Sequence, residues 1–106
     1  MGRAEYADPY DFINVLLDGR NIQDQNNNNF AYLNDPKFNQ QMTQASLLSG
    51  TARYKAYGNL DVALMRQAVP WAPRSNANNR MLVSKRTGCF SYSAIYTVDL
   101  AALCLK

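Results

Sequence analysis

The sequence predicts an α/β chain, more strictly an α+β one, with three helices, two of them in a hairpin, and two to four short strands. Three observations carry that prediction. Two Asp-Pro pairs, Asp8-Pro9 and Asp35-Pro36, each stand directly ahead of apolar residues at helical spacing. After Ala68 the period changes, because Val69-Pro70-Trp71-Ala72-Pro73 holds two prolines close together and cannot continue a helix. Beyond it, short apolar runs are bounded by asparagine and glycine, the pattern of strands and turns.

The elements follow in order. Pro9 is preset for a first helical position and Asp8 can cap behind it, so a helix begins there with Phe12, Ile13, Leu16 and Leu17 on one stripe and stops at Asp18-Gly19. From Arg20 to Asn34 the chain is polar, with four consecutive asparagines at 26–29, and reads as a long loop whose far end docks through Phe30, Tyr32 and Leu33. Asp35-Pro36 starts a second helix with Phe38, Met42, Ala45 and Leu48 inward, ending at Ser49-Gly50. A third helix is expected from about Thr51 to Gln67, with Ala56, Tyr57, Leu60, Ala63 and Leu64 as its inner face. The short turn between the last two makes them an antiparallel hairpin. Residues 69–73 read as an extended edge segment, Asn76 to Asn79 as a turn, and Arg80–Lys85 with Cys89–Ser93 as a strand hairpin around Arg86-Thr87-Gly88. The apolar tail from Thr97 to Leu105 is strand or helix.

At 106 residues the chain is one domain or a piece of a larger one, with a small core. No apolar run reaches the ~20 residues of a membrane span. The opening residues lack the basic and apolar regions of a signal peptide. Charge is uneven: residues 1–53 hold four basic and six acidic side chains, and residues 54–106 hold seven and two. The stretch 74–86 carries Arg74, Arg80, Lys85 and Arg86 without an acid. Such a stretch attracts polyanions or, more ordinarily, forms a solvated face, and nucleic acid is not the expected partner. There is no histidine, so no zinc site is expected from the two cysteines, Cys89 and Cys104. Their spacing leaves two options open, a disulfide or two buried thiols. A bridge over a loop of about 15 residues would contribute roughly 3 kcal/mol.

Taken together, the motifs resemble those of the C-terminal part of a family 5 extracellular solute-binding protein, the oligopeptide and dipeptide type that serves ABC importers. The resemblance rests on Glu5-Tyr6-Ala7-Asp8-Pro9 followed by Phe12-Ile13-Asn14, and on an asparagine-rich loop ending in Tyr32-Leu33-Asn34-Asp35-Pro36. It continues through Arg53, Tyr54 and Tyr57 early in the third helix and the spaced prolines Pro70 and Pro73. It covers nearly all of the chain. It implies that residues 1–106 are a single C-terminal fragment of a class II periplasmic-binding-protein-like fold, exported by a signal on the missing N-terminal part and working outside the membrane or in the periplasm. It further implies a Cys89–Cys104 bridge, as in some Gram-positive members.

In that family the acidic residue of the first motif lies in the ligand cleft and faces a peptide's α-ammonium. That position is Glu5, with Tyr6 beside it as the second expected ligand-binding residue. Peptide binders commonly carry aspartate there, so the longer glutamate leaves the ligand class open. Read as residues alone, Glu5 is a solvated carboxylate, Trp71 and the tyrosines are core, Asp8 and Asp35 are helix caps, and Arg53 pairs with a carboxylate or covers a helix end. The resemblance implies a solute-binding component with ABC permease subunits as partners and no cofactor. As a fragment, the chain is expected to bind weakly or not at all. No nucleophile with a base partner and no glycine-rich phosphate loop is visible, so an enzyme is not expected. The alternative is a small interaction module that uses residues 74–86 to bind an acidic partner. Unpaired strand edges would favour a homodimer.

Overall fold

The computed structural model describes residues 5–75, 78, 80–93, 95 and 97–106. They form two compact units, Tyr6–Pro73 and Arg74–Lys106, the latter with Glu5. The first holds three α-helices and the second short antiparallel strands, an α+β composition.

In the first unit, α1 spans Tyr10–Leu17. Pro9 already has helical angles, and the Asp8 carboxylate accepts the Tyr10 N–H at 2.8 Å, so the Asp-Pro pair starts the helix as expected. Ile13 and Leu17 are buried, but Phe12 is 44% exposed and Asn14 takes an inward position. On so short a helix, one residue is a rotation of about 100°, and the face that meets the neighbours is centred on residues 13, 14 and 17. A 3₁₀ turn at Gly19–Asn21 follows. Gly19 is needed for close approach: a Cβ there would fall 2.6 Å from the Asn34 Cα. The loop that follows docks through Leu33 and through fully buried Asn29, whereas Phe30 and Tyr32 stay exposed, contrary to expectation.

α2 covers Pro36–Ser46, with Asp35 accepting the Lys37 N–H at 2.8 Å. Phe38, Met42 and Ala45 are buried as the spacing predicts. The helix stops at Ser46, earlier than Ser49-Gly50, so Leu48 falls outside the periodic face and is exposed. Leu47–Ser49 connect to α3, Gly50–Ala63, and Gly50 opens it with φ +56°, a conformation that suits glycine. The helical path then widens into a π turn at Leu64–Ala68, closed by the Val69 N–H donating to the Leu64 carbonyl at 2.8 Å. Val69 itself lies in the left-handed region, so it is no edge strand. Tyr57, Leu60 and Leu64 complete the core with Ile13, Leu17, Phe38, Met42 and Ala45.

In the second unit the strands are β1 (Thr87–Gly88), β2 (Tyr92–Ser93), β3 (Thr97–Val98) and β4 (Cys104–Leu105). β1 pairs antiparallel with β4, and β2 with β3. The expected hairpin of 80–85 with 89–93 is therefore corrected: 80–85 form no strand, and Thr87-Gly88 is a strand rather than a turn. The reason is the disulfide between Cys89 and Cys104, which sets Gly88 against Cys104. The expected turn at 76–79 lies largely outside the described residues. Of Trp71 and the tyrosines read as core, only Tyr57 is buried among those described; Trp71 and tyrosines 6, 10, 32, 54 and 92 are exposed.

Met42 is fully enclosed and touches the centre of this core, so Met42→Ala should lower the unfolding free energy by about 2–5 kcal/mol. Phe12→Ser should change it by about 0.5 kcal/mol or less, both read by urea denaturation.

Candidate functional site

The densest arrangement of charge is built from three chain segments that meet at Arg53, in the first turns of α3. Its Nε donates to Asp8 Oδ2 at 3.0 Å and its Nη2 to Asp8 Oδ1 at 2.8 Å, a forked pair. Its Nη1 reaches two closing carbonyls of α2, Ser46 at 2.8 Å and Ala45 at 3.3 Å, and the Leu48 carbonyl of the connection at 3.3 Å. The carbonyls of Ala45 and Ser46 are acceptors that a helix end leaves without intrahelical partners. The guanidinium also lies 5.0 Å from the centre of the Tyr57 ring, within the range of a cation–π contact. The Arg53 and Asp8 side chains are 17% and 23% exposed. Arg53 hydrogen bonds hold the Asp8 carboxyl below its ordinary pKa, with the Tyr10 N–H adding to the effect.

Beneath this pair, the Tyr57 hydroxyl donates to Asn14 Oδ1 at 2.8 Å, and Asn14 Nδ2 donates to the Met42 carbonyl at 3.2 Å. Burial pushes the Tyr57 phenol up. A second polar cluster joins the end of α1 to α2. Asn39 accepts the Gly19 N–H at 3.0 Å and donates to Asn34 at 3.1 Å. Arg20 pairs with Asp18 through Nε at 2.9 Å and donates to the Thr43 hydroxyl at 2.8 Å. Asn29 donates to the Asp18 and Leu33 carbonyls and accepts the Leu33 N–H. Sequence reasoning read Asn29 as part of a loop, took Asn14 only as part of the Phe12-Ile13-Asn14 motif of the resemblance, and did not single out Asn39. Their signal was weak, since only isolated position on an apolar face marks Asn14 and Asn39 as inward.

Arg53 is saturated by protein partners, whereas Arg20 joins Asp18 to α2 with its side chain 57% exposed; both serve as joints. Arg53 therefore both pairs with a carboxylate and covers a helix end, the role read from sequence without the resemblance. Two open depressions lie in the helical unit. One, about 560 Å³, is lined by Arg20, Pro36, Asn39, Gln40, Thr43 and Gln44. The other, about 380 Å³, runs between α2 and α3 past Gln41, Leu48, Asn59 and Ala63. The expected ligand-binding residues line neither. Glu5 and Tyr6 are both exposed, Glu5 grouping with the second unit and Tyr6 opening the first. Among the described residues, no group of three or more Cys, Asp or Glu is placed to hold a metal, and no helix is long and apolar enough to cross a membrane.

Compared with models of protein families, with curated proteins and with solved structures, the chain matches none.

The Asp8 shift has a definite sign. A carboxyl whose pKa is lower folded than unfolded contributes stability above its unfolded value, and that contribution fades as pH falls through the folded one. The melting temperature should therefore fall on acidification below about pH 4, and less steeply in Asp8→Asn. Arg53→Lys, which loses the fork, should destabilise the helical unit as well. The double variant should be no worse than the more damaging single one, measured by thermal melts.

Proposed function

We propose that the chain is the C-terminal part of a family 5 type solute-binding receptor, working outside the membrane with an ABC importer and taking a peptide or similar small solute. Its parent fold would be of the class II periplasmic-binding-protein type. One observation supports this reading above the others. Segments that carry the resemblance, far apart in sequence, are in direct contact: Asp8 with Arg53, and Asn14 with Tyr57. Residues that recur as a motif because they form a joint would be expected to meet in this way. The Cys89–Cys104 bridge suits an oxidising location.

In this reading the chain supplies one wall of a cleft between two lobes. Closure of the lobes on the solute couples binding to delivery at the permease. Glu5 offers its carboxylate to the solute's ammonium, Tyr6 flanks it, and no bond in the solute is broken. A charge-assisted hydrogen bond in a partly shielded cleft is stronger than a neutral one. Alone, this wall is a half-site.

A second reading draws on the exposure of Arg74, Arg80, Lys85 and Arg86. These residues suit an acidic partner, whose binding would weaken steeply with salt.

Calorimetric titration of the isolated chain with short peptides should give no measurable heat, and micromolar binding there would contradict the half-site. A receptor encoded by a reading frame continuing upstream of Met1 should bind peptides, with Glu5→Gln weakening it about ten-fold or more. The lack of such a frame, or undiminished binding by the Glu5→Gln receptor, removes the assignment. Heparin binding that disappears between low and moderate salt would favour the second reading.

A further inference from the structure

The two units are held together by different means. Among the described residues, all eight buried apolar side chains come from Ile13 to Leu64. Among the described residues of 74–106, none is buried apolar, and Leu82, Leu100 and Leu105 are largely bare to solvent. The regular structure of those described residues consists of two ladders, β1 with β4 and β2 with β3, each two residues long. An isolated two-stranded ribbon is at best marginal in water even when much longer. One covalent link remains. Cys104 is a residue of β4, its ladder partner is Gly88, and the next residue, Cys89, carries the other sulfur. The bridge is thus part of the ladder it supports. The Lys106 N–H, donating to the Arg86 carbonyl at 2.9 Å, extends that ladder by one bond.

We propose that the Cys89–Cys104 disulfide is a redox latch: reducing it unfolds the 87–106 ribbon while Tyr6–Pro73 stays folded. The chemistry is thiol–disulfide exchange with a dithiol. A dithiol thiolate attacks one cysteine sulfur and breaks the S–S bond, and the departing cysteine thiolate takes a proton. The second dithiol sulfur then displaces the other cysteine. Two electrons and two protons have passed to the cysteines, and the dithiol has become a disulfide. Both cysteines are exposed, so the reductant has access. The latch stays closed in an oxidising compartment and opens in one kept reducing by thiols. It operates whether or not the chain belongs to a solute receptor.

Hydrogen exchange read by mass spectrometry tests this on the full chain, oxidised and in dithiothreitol, with iodoacetamide labelling of both cysteines as proof of reduction. Opening a loop of about 15 residues should speed exchange of the 87–106 amides by about a hundred-fold. Amides of α1, α2 and α3 should keep their protection. The double variant Cys89→Ser/Cys104→Ser should show the reduced pattern without reductant. Unchanged protection of 87–106 after both cysteines are alkylated overturns the proposal. So does unchanged protection in the double variant, or loss of protection in the helices together with the ribbon.

Discussion

The helical unit depends on the satisfaction of a helix end by one guanidinium. Arg53 stands where α1 begins, α2 stops and α3 sets out, and it bonds to all three regions. Its fork fixes the Asp8 carboxylate, which in turn receives the first N–H of α1. Its Nη1 bonds the Ala45 and Ser46 carbonyls that close α2 and the Leu48 carbonyl just beyond it. A planar donor set can serve a carboxylate on one edge and carbonyls on another, a task for which a lysine ammonium has the charge but not the shape. The early stop of α2, the exposure of Leu48 and the place of the Tyr57 ring follow from that geometry.

Burial is divided unequally. The helical unit has a small apolar core wrapped by caps and amide bonds, each element helping to hold another. The described residues of the strand unit have ladders too short to stand alone and a covalent link, with no buried apolar side chain. Apolar burial scales with the surface that can be removed from water, and the described part of 74–106 removes little. Its stability is accordingly tied to sulfur chemistry, whereas that of the helices is tied to packing.

Local signals made the helices legible. Asp8-Pro9 and Asp35-Pro36 start helices because capping and a preset φ act within a few residues. Phe38, Met42 and Ala45, like Tyr57, Leu60 and Leu64, declare themselves by spacing. Phe12 and Leu48 mislead because the short α1 turns a different edge inward and α2 ends by a contact from Arg53, a residue of the next helix. The strands were placed wrongly because their pairing is non-local: nothing near Thr87 announces that its partner is Leu105. The joint at Arg53 was legible as chemistry, since an arginine among helix ends seeks carboxylates and carbonyls. Glu5 and Tyr6 were legible only by resemblance, because an exposed carboxylate beside an exposed ring carries no local mark of a ligand.

The asparagines inside the helical unit act as a key. Asn14 and Asn39 each present a donor and an acceptor in fixed positions, mated to the Met42 carbonyl and Tyr57 hydroxyl in one case and to Gly19 and Asn34 in the other. Sliding a helix by one residue would leave these groups buried without partners, a loss that apolar side chains alone would not impose. Greasy contacts set how tightly the helices hold, and the amides set which single alignment they hold in.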